Sequence, residues 1–545
     1  MKNENRECLE NGISLARENW PPQERDLSLP NVMPVPYLEN PPEVINIDRG
    51  RQLFVDDFLI DFNIRGTMIR VDHTPVKHPG NPVFFPQTKL EHNEEMAPCA
   101  IAKSGGIWFD SNDQLFKMWY MASYLGAGCY AESKDGVHWD RPELDVVPGT
   151  NAFLPLHIKP DSGSVVIDHE ADPSERYKMM LREPDCHPMQ KGIDPQAYMM
   201  TSADGKHWKE VRRTGEMRDR STLFYNPFRK KWVQSIRDHN DHIGRYRRYR
   251  ESSSFLGSAK WKDCKDNVCW ARADRLDKGS STQPELYNVD AIAYESVMLG
   301  FFQILKGPPN PIGESTGLPK LTEITLGSSR DGFHFHRPQR EAFIGARREP
   351  GSWEYGYVES SAGMVVIVGD ELYIYYSAYA GDPKRSESKS WHSNGTYANG
   401  AVGLAKLRRD GFSSMRATFA NAVTQTRPLC FSGSHLFVNA NTAGDRLRVE
   451  IRNLSNEPIS GFSFKDCMGF LGNSTASEMV WKDKDLKSLA GQSVRYIFQM
   501  DRGDLYSFWV AQDQSGASHG YVAGGGPGFT GPTDTIGNNS SSQKF

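Results

Sequence analysis

"SKDGVHW" occupies residues 133–139, "SADGKHW" residues 202–208 and "SRDGFHF" residues 329–335. Each copy follows an apolar, aromatic-rich run and joins the Asp and Gly of a tight turn to an aromatic anchor. Three β-like runs precede the first turn: "APCAIAKSGGIWFD", "LFKMWYMAS" and "GAGCYAES". "GSVVIDHE", "RYKMMLREP" and "QAYMMTSADG" precede the second. The order recurs between Asp219 and Trp261 with a degenerate turn, again from "DAIAYES" to "SSRDG", and a fifth time from "ESSAGMVVIVG" to "NGAVGLAKLRRDGF". The anchors Trp139, Trp208, Trp261, Phe335 and Phe412 lie 69, 53, 74 and 77 residues apart. Self-similarity on this scale marks a radial array of four-stranded sheets. It predicts a five-bladed β-propeller over residues 46–416, in which the turn leads from third to fourth strand and the ring packs between blades. Asp135, Asp204 and Asp331 are then turn formers, not catalysts.

The remaining segments read differently. A chain of 545 residues exceeds one ordinary core. Residues 1–45 are polar and Pro-rich, an extended arm. After residue 416, runs such as "HLFVNANTAGDRLRVEIRN" alternate inward and outward residues, which predicts a β-sandwich over 417–515. Residues 516–545 are Gly/Ser-rich and are expected to be a flexible tail. The fold class is all-β. A net charge of −4 gives no broad attraction to nucleic acid or anionic membrane. "GRYRRYRES" (244–252) is the local exception: a strand with a solvated arginine face, or alternatively a patch that meets an acidic ligand. The eight cysteines lack the spacing of a zinc ribbon or a disulfide framework. No run nears the roughly 18 apolar residues of a membrane helix. The opening "MKNENRECLENG" has no signal-peptide core, so the chain is expected to be cytoplasmic or exported with its signal removed.

In a propeller the entrance ends of the innermost strands converge on one funnel. Glu95, Asp161, Asp219, Asp290 and Glu359 fall near that position in successive units. Buried like charges are costly unless they act or meet cations. Arg218, Arg220 and Arg237 can neutralise such acids or grip substrate hydroxyls and carboxylates. Several carboxylates in a ring-lined funnel suit glycoside hydrolysis, in which one protonates the leaving oxygen and another attacks or activates water. Tyr287, Trp353, Tyr355 and Tyr357 are the candidate stacking rings. A carboxylate ring would also suit a structural Ca2+ on the axis; no cofactor is required.

A propeller followed by a β-sandwich resembles glycoside hydrolase family 32, and carboxylates drawn from separate blades are similar to family 43 and related furanosidases. "RQLFVDDFLI" (51–60), "HPGNPVF" (78–84) and "GAVGLAKLRRDGF" (400–412) resemble proteins described as family 32 N-terminal-like. The family 32 nucleophile motif Trp-Met-Asn-Asp-Pro-Asn and the Glu-Cys acid motif are absent, and "MRDRS" keeps only Arg218 and Asp219 of Arg-Asp-Pro. Fructan specificity is therefore not implied. The resemblance implies a glycosidase removing a terminal, furanosidic sugar from an oligo- or polysaccharide. Asp219 and Asp290 would be nucleophile or base and pKa modulator, with Glu359 the acid and Glu95 and Glu295 in reserve. Asp56 and Asp57 are alternative first-blade carboxylates. A non-catalytic carbohydrate-binding or scaffold propeller is the competing reading. A lyase or phosphorylase would need a Tyr/His pair or a phosphate site, and His187, His239 and His242 are too scattered to favour it.

Overall fold

The computed structural model describes residues 6–23, 26–61, 66–184, 196–280, 282–388, 390 and 392–538. His187 lies outside these residues. The innermost strands of the five blades are Ala100–Asp110, Ser162–Ile167, Thr222–Asn226, Glu285–Glu295 and Gly356–Glu359, the last continued by Val365–Val368. Each is followed by antiparallel partners in chain order. Polar contacts between adjacent blades run around the full circle. Gly163 and Ser164 pair in parallel with Ser104 and Gly105. The Leu223 amide donates to Ser164 Oγ at 3.0 Å, Thr222 Oγ1 to the Val289 carbonyl at 2.6 Å and Thr322 Oγ1 to the Val358 carbonyl at 2.7 Å. The Ile107 amide closes the circle onto the Ala362 carbonyl at 3.0 Å. The result is a closed five-bladed propeller.

The repeated turn has one geometry. In the first copy Asp135 Oδ1 accepts from the Val137 and His138 amides, both at 2.8 Å. Asp204 does the same for Lys206 and His207, and Asp331 for Phe333 and His334. Gly136, Gly205 and Gly332 sit at φ +75°, +77° and +79°, which favours glycine. Each turn is also held from the preceding blade. Tyr375 Oη of blade five donates to the Gly136 carbonyl at 2.8 Å, Trp119 Nε1 of blade one to Gly205 at 2.6 Å, and Trp270 Nε1 of blade three to Phe333 at 2.8 Å. The anchors lean the same way: Trp139 against Tyr375, Trp261 bonded to the Glu216 carbonyl, Phe335 against Trp270 and Phe412 against Tyr294. The motif is a fastener between blades.

The fifth blade does not finish with its own chain. Its outer edge is Val76–Lys77, paired with Lys406 and Ala405, and Phe84 extends the contact to Val402. Ser413–Ala417, just after Phe412, instead joins Gly503–Ala511 and Ile69–Asp72 in the larger sheet of the sandwich. That sheet faces a three-stranded one formed by Ala422–Gln425, Arg495–Met500 and Arg448–Arg452. The N-terminal arm is built into the same core through Leu15, Tyr37 and Ile45. The sandwich therefore draws on residues before 73 as well as those after 412.

The stretch expected to be a flexible tail is packed as far as residue 538. Tyr521–Val522 pairs with Glu295 and Tyr294, and the Gly524 and Gly525 backbones bond Phe109, Val365 and Ile367. These glycines allow close approach rather than looseness: a Cβ on Gly524 would lie 2.1 Å from the Gly363 carbonyl and one on Gly526 2.0 Å from that of Ile367. The segment crosses the axis where the inner strands end. Arg51 and Arg409, paired with Glu295, Asp410 and Asp534, fasten it to blade and sandwich. Among the described residues no helix is long and apolar enough to cross a membrane.

Tyr375→Phe removes the one hydroxyl bonded to the buried Gly136 carbonyl, so unfolding should need about 1–3 kcal/mol less. Denaturant unfolding of wild type and variant checks this; an unchanged midpoint would show that the junction does not depend on that bond.

Candidate active site

Four carboxyls meet in the funnel: Asp161 and Asp219 from just before their inner strands, Asp290 from the middle of Glu285–Glu295 and Glu359 from the end of Gly356–Glu359. Asp161 stands just before Ser162–Ile167, its amide bonded to the Arg182 carbonyl at 2.9 Å. Asp219 and Arg220 precede Thr222–Asn226. Arg220 adopts φ +55°, with its amide on Ser162 Oγ at 2.5 Å, and Tyr357 adopts φ +52°. Left-handed backbone at non-glycine residues costs free energy and persists where packing holds it. Here it seats the Arg220 guanidinium between blades, bonded to the Lys103 carbonyl at 3.2 Å and to Gln303 Oε1 at 3.1 Å. Tyr287 and Tyr357 share a hydrogen bond between hydroxyls at 2.5 Å.

Every acid here answers to a cation or a donor. Arg237 meets Asp219 at 2.8 Å, Arg182 meets Asp161 at 3.1 Å and Arg220 approaches Glu359 at 3.8 Å. Asp290 accepts from Ser360 Oγ at 2.5 Å and Asn288 Nδ2 at 2.7 Å. Glu359 Oε1 has no hydrogen-bond partner among the described residues, while Oε2 takes only a long bond of 3.4 Å from Tyr379. Asp219 is the most open of the four: its side chain is 32% exposed, against 9% for Asp161 and 0% for Glu359.

Opposite pulls separate the two neighbouring carboxyls. Burial pushes Asp219 up, but Arg237, Arg182, Arg245 and Lys103 together outweigh it and hold the group at about 2. Burial raises Asp161, and the charge on Asp219 adds to the rise against the pull of Lys103 and Arg182. Burial also raises Asp290 in spite of Arg220. Lys320 is pushed down to about 7 by burial and then by Arg245, against the pull of Asp219. A carboxylate kept charged beside one inclined to hold a proton is the pairing acid–base chemistry needs.

The funnel thus brings together Asp219, Asp290, Glu359, Arg220, Arg237, Tyr287 and Tyr357. Other candidates lie elsewhere. Glu95 is exposed on the loop before blade one, whose contribution is Lys103 instead, 4.0 Å from Asp161. Glu295 ends the same 11-residue strand that carries Asp290, so it lies at the far end of the axis with Arg51 and Arg409. Trp353 packs on Tyr376 and Tyr355 under Arg348, at the edge of blade five. Arg218 reaches toward Asp238 at 4.0 Å. Asp56 and Asp57 pair with Arg330 and Arg70, and His239 and His242 are exposed. Sequence reasoning placed Asp161 in the funnel register without giving it a role, and it assigned no site role to Lys103, Arg182, Arg245 or Lys320. Asp161 shared the register of the other acids, and Arg245 lay in the basic run. Arg247 of that run is fully buried on backbone carbonyls, so the face is not solvated. Among the described residues no cluster of three His, Cys, Asp or Glu side chains could hold a metal. The arginines and lysines beside these acids also work against a Ca2+ ion on the axis.

No family model matches the chain, and no curated protein matches it. Among solved structures it is similar to an N-acetylgalactosamine deacetylase from F. plautii in complex with blood group B trisaccharide, at 14% identity over 62% of this chain and 96% of that one, TM-score 0.43. A glycosyl hydrolase from Bacteroides ovatus matches at 11% identity over 65% and 96%, TM-score 0.39. A thermostable family-43 glycoside hydrolase matches at 13% identity over 57% and 94%, TM-score 0.37.

The depressed Lys320 gives a test of the site's electrostatics. Below pH 7 both folded and unfolded chains bind its proton and the cost of the buried ammonium is felt in full; the cost fades as pH rises toward the unfolded value of about 10.4. Relative to wild type, Lys320→Met should therefore be more stable at pH 6 than at pH 9. Unfolding midpoints at the two pH values decide; a pH-independent difference would overturn the assignment.

Proposed function

We propose that the chain is a glycoside hydrolase that removes a terminal sugar from an oligo- or polysaccharide. The observation that carries this reading is the pair of carboxyls that stand before adjacent inner strands, Asp219 32% exposed beside Arg237 and Asp161 buried beside Arg182 and Lys103, where burial and the charge on Asp219 raise Asp161 while the surrounding cations lower Asp219. Asp219 would act as nucleophile or base and Asp161 would protonate the leaving oxygen. Glu359 lies deeper and faces Arg220 at 3.8 Å, while Asp290 is held by Ser360 and Asn288. The likeness to glycoside hydrolases supports the same reading. A furanosidic sugar rests on the resemblance to furanosidase propellers alone.

A second reading, a carbohydrate-binding propeller without catalysis, is favoured by one observation: Asp161, Asp219 and Glu359 each face an arginine. Hydrolysis of 4-nitrophenyl furanosides and pyranosides and of plant and algal oligosaccharides separates the two. Asp219→Asn and Asp161→Asn should each lower kcat about 10²–10⁴-fold while remaining folded. Wild-type binding without turnover across the panel would give the second reading instead. Lys103 lowers the Asp161 carboxyl, so Lys103→Met should raise it further and move the alkaline limb of the pH–rate profile to higher pH; an unmoved limb would show that Asp161 is not the acid.

A further inference from the structure

We propose that the sugar taken by this funnel is acidic, carrying a carboxylate or sulfate ester that seats against Lys320, Arg245 and the Tyr287 hydroxyl. The proposal rests on the carbohydrate reading above and names its substrate class. A neutral sugar is held mainly by hydrogen-bond acceptors and rings, and a funnel built for one has little reason to bury a lysine with no carboxylate in contact. This funnel buries one. Lys320 Nζ bonds only Tyr287 Oη at 3.2 Å and Asn310 Oδ1 at 3.0 Å, and among the described residues no carboxylate lies within 4.0 Å of it.

Arg245 stands on the same ring. Its guanidinium lies 5.2 Å from the Tyr287 centroid and the Lys320 ammonium 4.8 Å, so two cations flank one phenol. Glu285 answers Arg245 at 2.7 Å, whereas Lys320 has no carboxylate in contact among the described residues, Asp219 and Glu359 acting on it only from farther off. The Nε atoms of Arg245 and Arg237 are buried and have no hydrogen-bond partner among the described residues. Buried donors without acceptors and like charges around one ring are both costly unless an anion meets them. An anionic group relieves both at once, because an oxygen placed there takes charge-assisted bonds from lysine and arginine and a third from the phenol. Arg245 comes from the basic run "GRYRRYRES", one reading of which is a patch that meets an acidic ligand.

The test uses matched pairs: uronic-acid oligosaccharides beside their carboxyl-reduced counterparts, and sulfated algal oligosaccharides beside their desulfated ones. Binding is measured by calorimetry and cleavage by released reducing ends, for wild type, Lys320→Met and Arg245→Met. The acidic member of at least one pair should bind about tenfold or more tightly than its neutral partner, and the ratio should fall toward one in a variant that folds. The pair that shows the effect tells carboxylate from sulfate. Acid-selective binding without cleavage would uphold this inference and overturn the hydrolytic one. Cleavage of neutral members as well as acidic ones would overturn this inference and leave hydrolysis standing. Neither binding nor cleavage of any pair would overturn both.

Discussion

The hydrogen bond from one blade's aromatic side chain to the next blade's turn carbonyl is the contact on which the ring depends. A propeller blade buries both its faces against its neighbours, so apolar packing alone would allow sliding. The bonds of Tyr375, Trp119 and Trp270 fix that freedom at defined points. Each carbonyl is presented by a turn that an aspartate and a left-handed glycine lock in place. Because the blade-five donor meets the blade-one turn, the same device that spaces the blades also closes them.

Closure sets the chemistry. Five inner strands that converge bring Lys103, Asp161, Asp219, Asp290 and Glu359 into one small volume, where charge is expensive. The chain meets that cost with cations rather than by removing the acids. The balance differs by position: Asp219, nearest the mouth and facing Arg237, stays ionised, whereas Asp161 rises.

What could be read from the sequence follows from distance along the chain. The turns, anchors and inner-strand acids are local patterns that repeat, so five blades and the register of Asp161 and Asp219 were visible. The outer edge of blade five was not, because Lys77 pairs with Ala405 across the whole propeller. Glu295 misled because it shares a strand with Asp290, and nothing local marks the length of that strand. The arginine alternation in 244–252 misled for another reason: the run is regular, and nothing in it marks Arg247 as the arginine buried on the carbonyls of Arg220, Ser235 and Tyr287. Lys320 carries no sequence signal at all, since its meaning comes only from the rings and charges of other blades.

The glycine-rich segment that crosses the axis has a mechanical consequence. With residues 521–525 laid across the ends of the inner strands, the propeller is a cup rather than a tube. A long polymer cannot thread through it, so whatever reaches the carboxylates must arrive as a free end or a short branch. A guest must then back out through the mouth by which it entered, and the rim loops govern departure as much as admission. Arrival and departure in such a vessel share one path.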